Sequence, residues 1–298
     1  IVCSLVGSEM CIRDSLCAVL FSWQGLFMIT PIAIKIPTAA DSHATLFSYA
    51  ITRLPAASAV NGLRAQNTGA VNINLMARQH NNYQEALRLA GAFVLELPAL
   101  PECPDAQFVE DTALCLPGLA VMMRPWAKTR KDEVAPMRGA LSQFFDDIVD
   151  IVDGCVEAGD ILITPSEVLV GLSARTDQAG ADQLRSILNA RGYVMRVMKT
   201  PPDILHFKTD CSLIDDHCIL ATERLTFSGC FDGYQTLLVQ LGEEPAANVI
   251  RINNHIIMPA GYPKTRSMLR VEGFEVLTVG NSECAKIDGG MSCLSLRF

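Results

Sequence analysis

The sequence contains no CxxC pair, and none of its Cys and His spacings matches a zinc-ligand pattern, which excludes a structural zinc module. Its 11 cysteines, an odd number, are scattered over 298 residues and fit free thiols in a reducing compartment better than a disulfide framework. Base is not in excess either. The formal net charge is −8, whereas a general nucleic-acid binder needs a basic face. An acidic chain suits a cationic ligand instead. From residue 46 onward no Pro/Gly/Ser linker and no long charge run interrupts the chain, so a single domain over 46–298 is expected. Half of the residues are hydrophobic and 19% are charged, enough to bury a sizeable core.

Residues 1–45 are read separately, as a non-native or disordered segment. IVCSLVGSEMCIRDS, at 1–15, resembles the translation of a sequencing adapter and is set aside from fold reasoning. The following 16–34 is about long enough for a membrane span, but Ser22, Gln24, Gly25 and Pro31 interrupt it. Read-through of non-coding sequence is the simpler account, with Met28 as the start. The expectation is a cytoplasmic chain with no membrane or signal segment; a membrane-anchored form is the alternative if 16–34 is coding.

What the chain does contain is a repeated order of elements. In DILITPSEVLVGLSARTDQAGADQLRSILNARGYVMRV, at 160–197, two apolar runs flank a Pro-Ser turn, as in a hairpin. Asp177 can then cap a helix whose apolar face uses Ala181, Leu184, Ile187 and Leu188. Gly192 stands where such a helix would end, and YVMRV reads as a closing strand. The order recurs over 108–145, over 248–279 with Asn253-Asn254 as the turn, and over 205–227 with a weaker helix. LFSYAITRLP with a helix over 84–93 makes a further partial copy. Repeated strand–strand–helix–strand modules that cannot bury their own faces pack side by side. The pattern leaves open an α/β propeller with loops converging on a central channel and an ordinary layered α/β sandwich.

Polar residues cluster at the strand ends of these modules. PDAQFVEDTAL carries Asp105, Glu110 and Asp111 around an apolar run, CVEAGDIL carries Glu157 and Asp160, and LHFKTDCS carries His206. Arg130 and Arg175 occupy equivalent loops, and an arginine pair converging on a channel suits a carboxylate. Taken singly, each has a blander reading: edge-strand acids, a structural histidine, solvated loop arginines. Cys293, in the terminal KIDGGMSCLSLRF, taken singly reads as a small buried hydrophobe.

Taken together, PDAQFVEDTALC, VEAGDIL, GLSARTDQAGA, LHFKTDCS, MPAGYPKTR and KIDGGMSCLSLRF resemble the dimethylarginine dimethylaminohydrolases of the pentein superfamily, in the family's order. The likeness runs from about Phe47 to Phe298. It implies a five-bladed α/β propeller of strand–strand–helix–strand modules around a central channel. It also implies a hydrolase that turns Nω-methylated arginine into citrulline and methylamine or dimethylamine. The resemblance places the nucleophile on Cys293, the general acid/base on His206 and the carboxylate that orients the histidine and touches the guanidinium on Glu157. Asp111 would grip the guanidinium, and Arg130 and Arg175 would hold the substrate's carboxylate. Its ammonium would meet Asp105 and backbone carbonyls near Leu63 and Ile287. No metal and no cofactor is implied. The partner is the small methylated arginine, not nucleic acid or membrane, and a homodimer is allowed.

Arginine and agmatine deiminases share this residue set but carry an aspartate two residues after the histidine. Lys208 stands there in this chain, which is expected to leave no carboxylate facing the methylated nitrogens. An arginine deiminase-like hydrolase and a non-catalytic pentein binding protein remain the alternatives; the second is expected to lack the His206 and Cys293 pair.

Overall fold

The structure is a computed structural model and describes residues 43–298; the adapter-like 1–15, the apolar 16–34 and Met28 lie outside the described residues. Five three-stranded sheets make up the described fold. Four are continuous in sequence. Their strands are Ala113–Leu116, Leu119–Met122 and Asp147–Asp150; Ile161–Ile163, Val168–Leu172 and Met195–Lys199; Cys211–Asp215, Cys218–Ala221 and Gln235–Leu238; and Ile250–Ile252, His255–Pro259 and Glu275–Val279. Each sheet has an antiparallel hairpin followed by a parallel third strand. A parallel return needs a crossover, and the helices Val134–Leu141, Gln178–Asn189, Glu223–Thr226 and Pro263–Val271 supply it.

The fifth sheet is split between the two ends of the described chain. Its first strand is the C-terminal Leu296–Arg297, antiparallel to Tyr49–Arg53. The helix Ile73–Leu89 and the parallel strand Phe93–Leu97 complete it. The partial copy in the sequence is partial for this reason. First strands of neighbouring modules lie against one another: Ile250–Ile252 and Ile161–Ile163 against Cys211–Asp215, and Leu296–Arg297 against Ala113–Leu116. Hairpin strands are almost continuously buried, while Asp147–Asp150, Gln235–Leu238 and Phe93–Leu97 are partly exposed. The architecture is therefore the propeller, with short apolar strands inside and helices outside.

Local chemistry accounts for most boundaries. Asp177 Oδ1 accepts from the Gly180 amide at 2.8 Å and caps its helix as expected. Asn253 turns the last hairpin at φ 51°, a conformation that asparagine tolerates. Two elements differ from the sequence reading. The helix expected over 84–93 spans Ile73–Leu89 and is capped by Asn72, which accepts from the Leu75 amide at 3.0 Å. Its inward face is Met76, His80, Tyr83 and Leu87, and the polar members of that face disguise the period. The apolar Phe108-Val109 is not a strand. Val109–Thr112 is a 3₁₀ turn, closed by Thr112 Oγ1 donating to the Val109 carbonyl at 2.7 Å, and the strand begins at Ala113.

The C-terminal strand is clasped by aromatic packing. The Phe298 ring lies 5.7 Å from Tyr49, 5.2 Å from Phe144 and 4.9 Å from Phe145, centroid to centroid. Phe298→Ala is expected to cost about 2–3 kcal/mol, below the ~3–5 of a fully enclosed phenylalanine. Urea unfolding should show a lower midpoint at unchanged slope.

Candidate active site

Cys293 does not lie in the last strand. It occupies the 3₁₀ turn Ser292–Leu294, just before Leu296–Arg297. Two bonds fix that turn: the Ser292 amide donates to Asn248 Oδ1 at 2.8 Å, and Ser292 Oγ donates to Glu110 Oε2 at 2.8 Å. Burial pushes the Cys293 thiol up to about 12, and the nearby Glu110 and Asp111 carboxylates add to the effect. The Gly290 amide and Lys208 oppose it without prevailing. Cys293 is therefore held as a thiol at neutral pH.

His206 precedes the short 3₁₀ turn Phe207–Thr209, where its amide donates to Thr209 Oγ1 at 3.2 Å. The next amide, of Phe207, donates to Asp160 Oδ1 at 2.8 Å. His206 Nε2 lies 2.7 Å from Glu157 Oε2. Burial of the ring disfavours its charge, but Asp111, Asp160 and Glu157 outweigh it and raise its pKa from 6.5 to about 9. It holds its proton through neutrality. Glu157 is wholly buried, and its other oxygen accepts from the Trp126 amide at 3.0 Å.

Asp111 is turned inward by its 3₁₀ turn and accepts from the Gly159 amide at 2.9 Å and from Arg130 Nη1 at 2.6 Å. Burial works against its charge, but His206 and Arg130 hold it below the usual carboxylate range. The glycine of the EAGD motif is a packing necessity: a Cβ on Gly159 would stand 2.8 Å from Asp111 Oδ1 and 2.9 Å from the His206 ring.

The two arginines are unlike. Arg130 is buried and nearly saturated. Its Nε and Nη2 reach Glu133, Nη2 also donates to the Phe108 carbonyl at 2.8 Å, and Nη1 meets Asp111. Of its five N–H groups one, on Nη1, is left over. Arg175 is the freer of the pair, 4.0 Å from Glu157 and stacked on Trp126 with Cζ 5.6 Å from the ring centroid. Asp105 Oδ1 accepts from the Leu63 amide at 3.0 Å, and burial raises its pKa against the pull of Arg130. Leu63, Asp105, Asp111, Arg130, Arg175, His206, Ile287 and Cys293 all line one narrow cleft. Glu157 alone of the expected residues is not on that wall and supports His206 from behind. The cleft shares His206, Asp288, Gly289 and Cys293 with a larger cavity of about 790 Å³.

One expectation needs correction. A carboxylate does stand beside Lys208: its Nζ lies 2.6 Å from Glu110 Oε1, and Arg297 Nη2 donates to the same oxygen at 3.2 Å. Glu110 borders the larger cavity together with Cys293. With Ser292 on its second oxygen, its charge is met from within the protein, so it demands no N–H from a ligand. The sequence showed Glu110 as one acid of three but no role for it; Lys208 and Arg297, distant in sequence, define it. Glu133, Asp160 and Trp126 were likewise without a role, because their partners are distant or their neighbours uninformative. Among the described residues, Asp111, Glu157 and His206 place ligand-type atoms within 4.8 Å of one another, close enough for a cation. Arg130, Gly159 and Trp126 already bond to these carboxylates, so a hydrogen-bonded acid–base set accounts for their closeness.

The chain is similar in sequence and fold to known proteins over most of its length. A family profile described as arginine deiminase matches residues 99–228. The N(G),N(G)-dimethylarginine dimethylaminohydrolase of Pseudomonas aeruginosa is 36% identical over 255 residues, 85% of this chain and all of that protein. A cysteine-to-serine variant of the Pseudomonas aeruginosa enzyme, solved with citrulline, superposes with a TM-score of 0.83 at 35% identity, again over 85% of this chain and all of the other. A dimethylarginine dimethylaminohydrolase with a histidine-to-glycine change, solved as an adduct with S-methyl-L-thiocitrulline, gives 0.82 at 35% identity, with the same coverage of both chains. Among the described residues no helix is long and apolar enough to cross a membrane. With an acid-lined cleft built on five three-stranded modules and a relative matched from end to end, the chain belongs to the dimethylarginine dimethylaminohydrolase family.

Proposed function

We propose that the chain hydrolyses Nω-methylated arginines to citrulline, releasing dimethylamine or methylamine. The observation that carries this reading is the single cleft lined by Cys293, His206 and Asp111 together with Asp105, Arg130 and Arg175. That arrangement fits a guanidinium at the reacting end and an amino acid at the other. Asp105 and the backbone at Leu63 and Ile287 take the ammonium, and Arg175, helped by the remaining N–H of Arg130, takes the carboxylate.

Asp111 orients the substrate guanidinium, with acceptor capacity beyond the bonds it already makes, while Glu157 holds His206 in place. The arriving cation offsets the carboxylates that hold Cys293 as a thiol, so the thiol loses its proton to solvent as substrate binds. The thiolate attacks the guanidinium carbon. The tetrahedral adduct collapses as protonated His206 gives its proton to the departing amine, leaving an S-linked thiouronium cation. Neutral His206 then takes a proton from water, the hydroxide adds to the same carbon, and the C–S bond breaks. Citrulline and the Cys293 thiolate form, and one further proton is released, which the free amine takes up. One group serves first as acid and then as base.

The reading takes 46–298 as one catalytic domain of a cytoplasmic enzyme, free to form a homodimer, without metal or cofactor and without nucleic-acid or membrane partners. Glu110, satisfied by Lys208, Arg297 and Ser292, supports methylated over unmethylated substrate, since no buried acceptor is left waiting for an N–H.

A citrulline assay over asymmetric dimethylarginine, monomethylarginine, arginine and agmatine tests the substrate class. The methylated amino acids should dominate; a preference for arginine would instead support the deiminase alternative. Cys293→Ser should abolish turnover while citrulline affinity stays within about tenfold, because a serine hydroxyl is barely ionised at neutral pH. In the free enzyme, alkylation of Cys293 should accelerate from pH 7 to 10 without the plateau near neutrality that an ion-paired thiolate would give. Gly159→Ala should lower kcat by about 10²-fold or more through displacement of His206 and Asp111, with the fold retained by circular dichroism.

A further inference from the structure

Trp126 stands against Arg175, which lines the cleft, with 59% of its own surface exposed. Its two ends do different things. The backbone amide donates to Glu157, the carboxylate behind His206. The indole carries the guanidinium of Arg175 on its face, within the ~6 Å range of a cation–π contact. The Arg175 backbone is tied separately, its amide donating to Ser173 Oγ at 2.9 Å, which in turn donates to Asp160 Oδ2 at 2.7 Å. Among the described residues the guanidinium itself has no closer polar partner than Glu157 at 4.0 Å.

The contrast with Arg130 gives the stack its meaning. Arg130 is oriented by hydrogen bonds, and these consume nearly all of its donors. A stacked guanidinium is held through its π face, so its N–H edge stays available for a carboxylate. Without the indole, a long side chain would have to be ordered by the ligand at binding, at an entropic cost.

We propose that Trp126 is a positioning residue that preorganises Arg175 for the substrate's carboxylate, while its amide independently supports the acid–base pair. The proposal rests on the reading of Arg175 as a ligand of that carboxylate. Because side chain and amide act on different ends of the substrate, a side-chain change separates KM from kcat.

The test uses the full chain with Trp126→Ala, Trp126→Phe and Arg175→Ala, assayed on asymmetric dimethylarginine and on its decarboxylated counterpart, Nω,Nω-dimethylagmatine. Trp126→Ala should raise KM for the amino acid about two- to fivefold, with kcat within about twofold. Its kcat/KM for the decarboxylated compound should not change, and Trp126→Phe should recover most of the loss. The chain has two tryptophans, Trp23 and Trp126. In a Trp23→Phe background, the emission of Trp126 should therefore change on addition of citrulline, and Arg175→Ala should remove that change. If Arg175→Ala raises KM but Trp126→Ala does not, the proposal is overturned and the clamp reading stands. If Arg175→Ala leaves KM unchanged, both fall. Equal losses of kcat on both substrates in Trp126→Ala would show action through Glu157 and also overturn it.

Discussion

Six carboxylates buried around one cleft are the constraint on which this site depends. Asp105, Glu110, Asp111, Glu133, Glu157 and Asp160 are all nearly inaccessible, and the permanent cations beside them are Arg130, Arg175, Lys208 and Arg297. Buried charge without a partner is expensive, and the excess of acid shows in three titrating neighbours. His206 keeps its proton to about 9, Glu133 is raised to about 7 by burial despite Arg130, and the Cys293 thiol is driven upward. A site short of positive charge is completed by a cationic ligand. Under the proposed function the same shortage keeps Cys293 protonated until that ligand arrives, so binding and activation are one electrostatic event.

The cleft can be this acidic because the scaffold fixes it from several directions. No catalytic group is held by its own module alone. Glu157 is bonded by Trp126, Asp111 by Gly159, Glu110 by Lys208, Ser292 and Arg297, and the Cys293 turn by Asn248. The C-terminal strand closes the ring by pairing with Tyr49–Arg53, which places Cys293 three residues before the strand that joins the ends of the described chain.

The two arginines divide the problem of holding a charged side chain near a mouth. Arg130 lies among acids and is fixed by them, with one N–H to spare. Arg175 is oriented by an aromatic face that makes no claim on its donors. Glu110 shows the complementary arrangement for an anion: three donors from the protein satisfy it, so it can border the reacting end without demanding a proton donor from the ligand.

By itself the sequence determined the module order, the capping of the helix after Asp177 and the Asn253 turn, which depend on local spacing, and separated motifs in a family's order named nine candidate residues, eight of which line one cleft. It missed the start of the Ile73–Leu89 helix, whose buried face includes His80, and it took Phe108-Val109 for a strand because an apolar pair carries no sign of a 3₁₀ turn. Only the tertiary structure decided that the fifth module borrows its first strand from the C-terminus, that Glu110 is neutralised by Lys208 and Arg297, and that Arg130 is held by hydrogen bonds while Arg175 is stacked on Trp126. Each of these joins residues far apart in the chain. Charge and stacking energies depend on distance in space, which residue types and spacing along a sequence do not carry.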